Sequence, residues 1–523
     1  MNVATWLLVQ QVSLSSETII SLDCERHSTT AMAKRKRDGA PPTNDESSKQ
    51  ATKRAKAPVA VPSPSPASAA AQLVIQIVAG SYDRVLHGLT ARISTTDDAP
   101  SVEFADTFLF DAHTSAIKCL AVSPPSAPAP GQSQSVMLAT GGTDERINVY
   151  TISAHPPRRD AQQQQISSLA PRPVLENSKN RELGTLLHHS STITKLSFPT
   201  RSKLMSASED STIAVTRTRD WSLLSAIKAP IPKVWGRPSG DTAPLGGVPS
   251  GVNDFAVHSS MKLMISVTKG ERCMRLWNLV TGKKAGVLNF DKDLLHQMGE
   301  GKLSMGEGRS VVWGSADGED EFAVAFDREV LVYGMGGTPR CRVVSNTKSK
   351  VHRIRYVQVG EDDASYLAVS TEDGRICLYS TRDEDLQQPK SREGAGKKEE
   401  QRVPTAMLVG VLGGRERGVT SRIKDFVILP GAAASGANTR PCIAVSGSSD
   451  GKLGIWRLTG GELASARGSG GGKQVGKLVG SYETQNRITC ITAFEMIPRP
   501  EGADDESDRE EEEATDEDED KDE

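Results

Sequence analysis

The stretch AVSGSSDGKLGIW, residues 444–456, contains the pattern on which the fold of this chain depends. A short apolar run ends in small residues, the acidic residue Asp450 follows, and apolar residues then alternate with others up to Trp456. The small and acidic residues predict a tight turn, and an alternation with a period of two predicts a strand after it. The stretch therefore predicts a β-hairpin, which cannot bury its apolar face without a neighbour.

The residues GSSDG (447–451) also match G-x-S-x-G, the pattern that presents the nucleophilic serine of α/β-hydrolases. That site requires a strand, a sharp turn and a helix, whereas KLGIWRL (452–458) alternates like a strand. A phosphate-binding loop would need four residues between its glycines and Ser or Thr after the lysine, and neither condition is met. We therefore expect no catalytic role for Ser449 and predict that the chain is not an enzyme.

The same hairpin pattern recurs along the chain, for example as ATGGTDERINVY (139–150) and AVSTEDGRICLY (368–379). In every copy an acidic residue lies six positions before the last residue of the pattern. These repeat-turn residues are Asp83, Asp144, Asp210, Glu271, Asp327, Asp373 and Asp450. Seven copies in one register predict a repeat architecture in which each unit packs against the next.

The net charge of −3 conceals two regions of opposite sign. Residues 501–523 contain 16 acidic and 2 basic residues, so the rest of the chain carries a net charge of +11. Hydrophobic residues make up only 37% of the chain, which suggests a folded body joined to disordered segments. We predict an acidic disordered tail at 498–523, which could mask a basic surface or bind basic proteins. Within it, Ser507 and Thr515 precede acidic residues and are candidate phosphorylation sites.

Residues 1–72 are predicted to form a disordered, basic N-terminal arm. Met32 begins a second plausible start, MAKRKRDG, and we hypothesise that residues 1–31 are an extension of the gene model. The arm contains two basic clusters that are typical of a nuclear localisation signal: Lys34, Arg35, Lys36, Arg37, Lys53, Arg54 and Lys56.

The seven cysteines are scattered and include no C-x-x-C pair, so neither a disulfide framework nor a zinc site is predicted. No histidine has metal-ligand spacing to a second histidine or cysteine. No apolar run approaches the length of a membrane span. We expect no metal, no cofactor and no membrane association.

Taken together, the repeats resemble those of the WD-repeat β-propeller family. GSSDGKLGIWRL and GERCMRLWNL carry the family's turn and strand pattern, which ends here at Trp456 and Trp277. The family also places a histidine near the start of a repeat, and His113, His189 and His352 fit that position. The resemblance implies an all-β, seven-bladed propeller with four strands in each blade.

The propeller is predicted to span residues 73–497. Its extra length lies in insertions near 155–180, 229–251, 382–404 and 459–473. The segment 487–497 follows the last repeat, and the first repeat has no strand before it. We predict that 487–497 supplies the missing strand of the blade completed by 73–110, which closes the ring and removes its sheet edges.

The resemblance also implies roles for single residues. In the family, the aspartate of a turn bonds to the histidine, to a Ser or Thr and to the Trp of its blade, which pairs Asp144 with His113 and Asp210 with His189. The unit that ends at Thr216 lacks the aromatic residue, and Glu271 departs from aspartate. We expect Asp450→Ala to lower the stability by about 1–3 kcal/mol if the carboxylate satisfies buried donors.

ELGTLLHHSSTITKLSF (182–198) and RIKDFVILP (422–430) resemble one subfamily in particular. It comprises the PAK-interacting WD-repeat protein of animals and its fungal maintenance-of-killer counterpart. This resemblance implies a scaffold for assembly of the large (60S) ribosomal subunit in the nucleolus, with a ribosomal or ribosomal-like protein as partner. The alternative that it leaves open is an adaptor that binds and restrains p21-activated kinase. We expect a monomer.

Basic clusters in the body could contact RNA phosphates or acidic protein, or could be ordinary solvated loops. They are RTRD (217–220), KSKVHRIR (348–355) and RERGVTSRIK (415–424). No RNP-type aromatic motif for reading bases accompanies them. Any contact with ribosomal RNA is therefore expected not to be sequence-specific.

Overall fold

Each copy of the repeat pattern forms a β-hairpin, and the hairpin forms the middle of a four-stranded antiparallel sheet. In the computed structural model, the opening stretch forms β25 (Cys442–Ser448) and β26 (Lys452–Leu458), with Asp450 in the turn between them. Leu453 and Ile455 are buried on one face of β26, as the alternation predicts, and Trp456 is buried on the other face. The turn requires Gly451, whose φ of +89° disfavours any other residue.

The structure describes residues 72–94, 101–129, 132–157, 175, 177, 179–232, 250–300, 306–345, 347–359, 365–388, 402–431, 441–468 and 472–499. The N-terminal arm with its localisation residues, the acidic tail with Ser507 and Thr515, and much of the four predicted insertions lie outside these residues.

Seven sheets form the blades of the propeller, and we give the strands of each blade from the innermost outward. Blade 1 consists of β29 (Ile488–Glu495), β1 (Gln72–Ser81), β2 (Val85–Ser94) and β3 (Val102–Asp111). Blade 2 consists of β4 (Ile117–Val122), β5 (Ser135–Gly142), β6 (Ile147–Ser153) and β7 (Arg181–Leu186). Blade 3 consists of β8 (Ile193–Thr200), β9 (Lys203–Ser208), β10 (Thr212–Arg217) and β11 (Leu223–Lys228).

Blade 4 consists of β12 (Val252–Val257), β13 (Leu263–Thr268), β14 (Cys273–Asn278) and β15 (Lys283–Asn289). Blade 5 consists of β16 (Ser310–Ala316), β17 (Glu319–Ala325), β18 (Glu329–Gly334) and β19 (Pro339–Val344). Blade 6 consists of β20 (Val351–Gln358), β21 (Ser365–Thr371), β22 (Arg375–Ser380), β23 (Met407–Gly413) and the short parallel strand β27 (Lys473–Gln474). Blade 7 consists of β24 (Ile423–Pro430), β25, β26 and β28 (Lys477–Glu483).

Two short helices interrupt the strands. Helix α1 (Lys292–Gln297) follows blade 4, and Asp291 caps its N-terminus by accepting a hydrogen bond from the Asp293 backbone N–H. Helix α2 (Gly460–Gly468) lies within the predicted insertion 459–473, and its Leu463 is fully buried. Part of this insertion therefore packs against the core, although its glycine-rich sequence predicts only a loop.

The ring closes through blade 1, as the sequence predicts. Strand β29 pairs antiparallel with β1, with Ile77 opposite Ala493 and Ala79 opposite Ile491. It forms the innermost strand of its blade and lies between the innermost strands of blades 7 and 2. The two ends of the propeller sequence thus meet within one sheet.

The core consists of apolar layers between successive blades. The closing layer joins the N-terminal strands to blade 7, with Ile75 and Ile77 packed among Val445, Leu453 and Ile455. The next layer surrounds Trp456, which packs with residues of blade 6 and with Leu463 of helix α2. Because both faces of the blades are covered, strands such as β13 and β21 are buried throughout, and their sequences are apolar runs with small polar residues.

Candidate functional site: the repeat turns and the channel mouth

The turn of blade 2 contains a buried chain of three side chains. His113 Nδ1 donates to Asp144 Oδ1 at 3.0 Å, and His113 Nε2 lies 2.7 Å from the Thr140 hydroxyl. Asp144 also accepts from the Thr114 backbone N–H at 3.0 Å. Burial lowers the pKa of His113, so the ring is neutral near pH 7 and accepts the Thr140 proton at Nε2. These hydrogen bonds link the segment that enters blade 2 with the central hairpin of that blade.

Blade 3 repeats the arrangement with Ser206 in place of threonine. His189 Nδ1 lies 3.0 Å from Asp210 Oδ2, and His189 Nε2 lies 2.8 Å from the Ser206 hydroxyl. Burial opposes ionisation of Asp210, but hydrogen bonds from His189 and Thr212 outweigh it and lower the pKa of Asp210 to about 2. The structure thus places together the two histidine–aspartate pairs that the family resemblance implies.

Glu271, in the turn of blade 4, bonds to a buried arginine. Arg275 contacts both carboxylate oxygens, with its Nη2 atom 2.7 Å from Glu271 Oε1, and Thr268 donates to the same carboxylate at 2.6 Å. Arg275 is only 5% exposed, so the ion pair in this turn is largely buried. The longer glutamate side chain is what allows the contact with an arginine four residues ahead.

The prediction that His352 is a repeat histidine is wrong. His113 and His189 each lie four residues before the first residue of an innermost strand, Ile117 and Ile193. His352 is instead the second residue of its own innermost strand. Its buried Nε2 atom has no hydrogen-bond partner among the described residues.

Thr347 occupies the equivalent position in blade 6, four residues before Val351. Its hydroxyl donates to Asp373 at 3.0 Å, and the Thr371 hydroxyl donates to the other oxygen of the same carboxylate. Counting back four residues from the start of the strand, rather than searching for the nearest histidine, would have found Thr347.

The remaining turn residues make weaker or different contacts. Asp83 accepts from the Arg487 backbone N–H at 3.0 Å, and so connects blade 1 with the start of its own innermost strand. Asp450 is exposed, and among the described residues it accepts only from the Lys452 backbone N–H, at 3.2 Å. The condition that Asp450 satisfies buried donors is therefore not met. Trp277 and Trp456 instead donate to buried serines, Ser266 at 2.8 Å and Ser446 at 3.1 Å.

Ser449, the candidate nucleophile, lies in a hairpin between two strands. Its backbone N–H donates to Arg422 O at 3.0 Å, and its side chain forms no hydrogen bond with any described histidine. Strand β26 follows where a hydrolase requires a helix. The G-x-S-x-G match therefore comes from the small residues of a repeat turn.

The innermost strands surround a central channel, and charged residues line it at two levels. Six of the innermost strands have an extra residue near their start, where the register shifts against the neighbouring strand. These bulge residues are Lys118, Thr194, Asn253, His352, Lys424 and Thr489. Thr194, Asn253 and Thr489 each donate to a backbone carbonyl of the next blade, at 2.7, 2.9 and 2.6 Å.

Where the residue after the bulge residue is charged, it pairs with a charged residue of a neighbouring innermost strand. Lys195 lies 3.1 Å from Asp254, and Asp425 lies 3.8 Å from Arg353. Asp254 additionally accepts from the Ser310 hydroxyl at 2.5 Å, across the junction between blades 4 and 5. These buried pairs join neighbouring blades, since each partner lies on a different innermost strand.

In the part of the chain that the structure describes, no cluster of three or more His, Cys, Asp or Glu side chains is placed to hold a metal ion. Within those same residues, no helix has both the length and the apolar character to cross a membrane.

Comparisons with known proteins agree with the architecture. The family model "WD domain, G-beta repeat" matches residues 180–215, which cover the entry to blade 3 and its first hairpin. Protein MAK11 of Saccharomyces cerevisiae is 27% identical over 439 residues, covering 80% of this chain and 82% of that protein. The p21-activated protein kinase-interacting protein 1-like proteins of Danio rerio and Gallus gallus are 23% and 24% identical over 421 residues, covering 80% of each chain. The chain is therefore a seven-bladed β-propeller that contains one match to the WD-repeat model and is similar, over four fifths of its length, to MAK11 and to the p21-activated protein kinase-interacting protein 1-like proteins.

Proposed function

We propose that this protein is a non-enzymatic scaffold that helps to assemble the large (60S) ribosomal subunit in the nucleolus. The observation that carries the proposal is the similarity to MAK11 across four fifths of both chains, together with the subfamily resemblance of residues 182–198 and 422–430. In blades 2 and 3 the turn aspartate and the histidine bond to each other within the blade, which supports a scaffold rather than a catalyst. A protein of the large subunit would be its main partner, and the scaffold would act as a monomer.

Depletion of the protein followed by sucrose-gradient sedimentation tests this proposal. If the protein assists large-subunit assembly, the peak of free large subunits should fall relative to free small subunits. Re-expression of the intact chain should restore it. An unchanged gradient after complete depletion would contradict the proposal.

The second candidate function is regulation of a p21-activated kinase, which rests on the names of the vertebrate relatives. In this function the propeller would bind the kinase and restrain it. Kinase activity measured in the same depleted cells separates the two candidates, because raised activity with an unchanged gradient would favour the adaptor.

The nuclear and nucleolar location is part of the same proposal and rests on the basic clusters at 34–37 and 53–56. A fluorescent fusion should accumulate in the nucleolus, and replacement of both clusters by alanine should leave it in the cytoplasm. Replacement of Lys283 and Lys284, which are exposed on β15, is the matched control and should not change the location. Nucleolar accumulation of the cluster variant would show that import does not depend on these residues.

A further inference from the structure

Two basic clusters that are far apart in the sequence meet at one end of the central channel. KSKVHRIR (348–355) surrounds the start of β20, and RERGVTSRIK (415–424) leads into β24, the neighbouring innermost strand. The third cluster, RTRD (217–220), lies elsewhere, at the outer turn of blade 3, where Arg217 pairs with Asp220 at 3.5 Å. The tertiary structure therefore shows that the first two clusters form one basic surface, whereas the third is an ordinary solvated turn.

We call this surface the basic mouth and define it as Arg309, Lys350, His352, Arg422, Lys424 and Arg487. Arg309, Lys350, Arg422 and Lys424 are the charges that surround His352, and Arg487 lies close to Lys424. Asp327 lies 3.0 Å from Arg309 and 3.2 Å from Lys350, and Glu372 lies 3.4 Å from Arg422. Five cations thus share two carboxylates, which leaves a local excess of positive charge.

This excess of positive charge distinguishes the basic mouth from the next level of the central channel. Arg353 and Arg355 share Asp425, and Lys195 pairs with Asp254, so the cations at that level have partners. At the mouth, Lys424 forms no ion pair with a described residue, and His352 Nε2 has no hydrogen-bond partner among them. A lysine without a carboxylate partner beside concentrated positive charge indicates a place for an anionic group.

From this arrangement we propose that the basic mouth binds an acidic loop of a partner protein, with a carboxylate placed beside Lys424. A carboxylate there would accept a hydrogen bond from the Lys424 ammonium group and offset the repulsion among the five cations.

Protein is favoured over RNA because acidic turns surround the mouth. Glu145, Glu209, Glu372 and Asp450 lie in the hairpin turns of four different blades, at the same end as the starts of the innermost strands. An extended polyanion lying across that end would approach these carboxylates, whereas a short acidic loop can enter at the centre. The last described residue, Arg499, lies at the opposite end, because β29 runs away from the mouth and Arg499 donates to Pro156 O in the connection between β6 and β7.

The site goes beyond the proposed function and does not depend on where the protein acts. Ribosomal proteins are mostly basic, so the mouth indicates a second class of partner, one that presents acidic residues. Its test is therefore a binding measurement with purified protein, which can fail or succeed independently of the sucrose gradients.

Fluorescence anisotropy of the full chain with a short labelled Glu/Gly peptide tests the proposal. The peptide should bind at low salt and weaken as salt screens the charges, and the corresponding Lys/Gly peptide should not bind. Lys424→Glu should weaken binding by about tenfold, because it reverses one charge near the bound carboxylate. Arg487→Glu, on an exposed side chain, is a second variant in case Lys424→Glu misfolds.

Lys203→Glu is the matched control, because it makes the same charge change on an exposed residue at the other end of blade 3. Equal weakening by Lys203→Glu and Lys424→Glu would show that only the net charge of the protein matters, and would overturn the proposal. Absence of peptide binding would overturn it as well. Tighter binding of single-stranded poly(U) that Lys424→Glu abolishes would assign the mouth to RNA instead. Peptide binding that appears only after residues 501–523 are removed would assign it to the chain's own tail.

Discussion

Repeat-turn residues that look alike in the sequence differ in what they contribute. Asp144 is nearly buried and accepts from a histidine and a backbone N–H, whereas Asp450 is exposed and accepts from one backbone N–H. Water can replace the partner of an exposed carboxylate at little cost, but not that of a buried one. The stretch that best shows the repeat pattern therefore contains one of its least constrained aspartates.

Asp144→Ala should destabilise the protein by about 1–3 kcal/mol, since it leaves His113 Nδ1 and the Thr114 N–H without their acceptor. Asp450→Ala should cost less than about 1 kcal/mol, because a single exposed bond is lost. Urea unfolding of both variants and the unaltered protein measures the difference. Equal losses would show that burial does not decide the role of these residues.

The stability of the folded protein should fall in mildly acidic solution through His352. Burial, followed by the fields of Lys424, Lys350, Arg422 and Arg309, lowers the pKa of this residue from 6.5 to about 4. Between these values the unfolded chain binds a proton that the folded protein does not, so stability decreases as the pH falls through that window.

His352→Gln removes this proton and should reduce the loss of stability between pH 7 and pH 5, as measured by urea unfolding at both values. His113, whose pKa is also lowered by burial, contributes a loss of the same sign, so part of the dependence should remain. The same pH dependence in both proteins would contradict the assignment to His352.

At the scale of the elements, a buried carboxylate joins blade 5 to blade 6. Glu321 of β17 is fully buried and accepts from Arg340 at 2.8 Å, from the Tyr356 hydroxyl at 2.8 Å and from the Thr381 hydroxyl at 2.6 Å. Burial raises the pKa of Glu321 against the effect of these donors. Gly314 completes the junction, because a Cβ atom there would lie 2.3 Å from the Tyr356 ring.

Glu321→Ala should destabilise the protein by about 1–3 kcal/mol, because it leaves the Tyr356 and Thr381 hydroxyls without their acceptor, whereas Arg340 keeps its ion pair with Asp383 at 2.7 Å. Glu321→Gln retains an acceptor oxygen for Tyr356 and Thr381 and should cost less. Thermal unfolding of the two variants checks this order. If Gln and Ala were equally destabilising, the charge pair with Arg340 rather than the set of hydrogen bonds would hold the junction.

For the whole molecule, stability should depend on the closure of the ring. Strand β29 contributes Ile488 and Ile491, each 1% exposed, to the layer between blades 1 and 7, and Thr489 donates to the carbonyl of Ile117 in blade 2. Its loss would uncover one edge of β1 and remove the innermost strand between two blades.

Deletion of residues 486–497 should therefore lower the melting temperature, with a loss of about 3 kcal/mol or more from the two isoleucines alone. Deletion of residues 501–523, which lie after β29, is the control and should leave the melting temperature nearly unchanged. Calorimetry of both truncated proteins provides the measurement. A protein that kept its melting temperature without 486–497 would show that closure adds no stability.

Local chemistry in the sequence determined the repeating unit, the number of blades and the closing strand. A tight turn and an alternating strand produce the same sequence pattern in every copy. Seven copies in one register and one unpaired end segment could therefore be predicted from the sequence. The same regularity argued against a nucleophile at Ser449, because its neighbours alternate like a strand.

Only the tertiary structure decided which residues of different blades meet. Contacts such as Glu321 with Tyr356, and the meeting of the two basic clusters at the mouth, depend on strand bulges and blade packing, which leave no periodic trace in the sequence. His352 shows the reason most clearly. It lies only a few residues from the repeat position that Thr347 occupies, and this difference places it at the end of the central channel instead of in a repeat network.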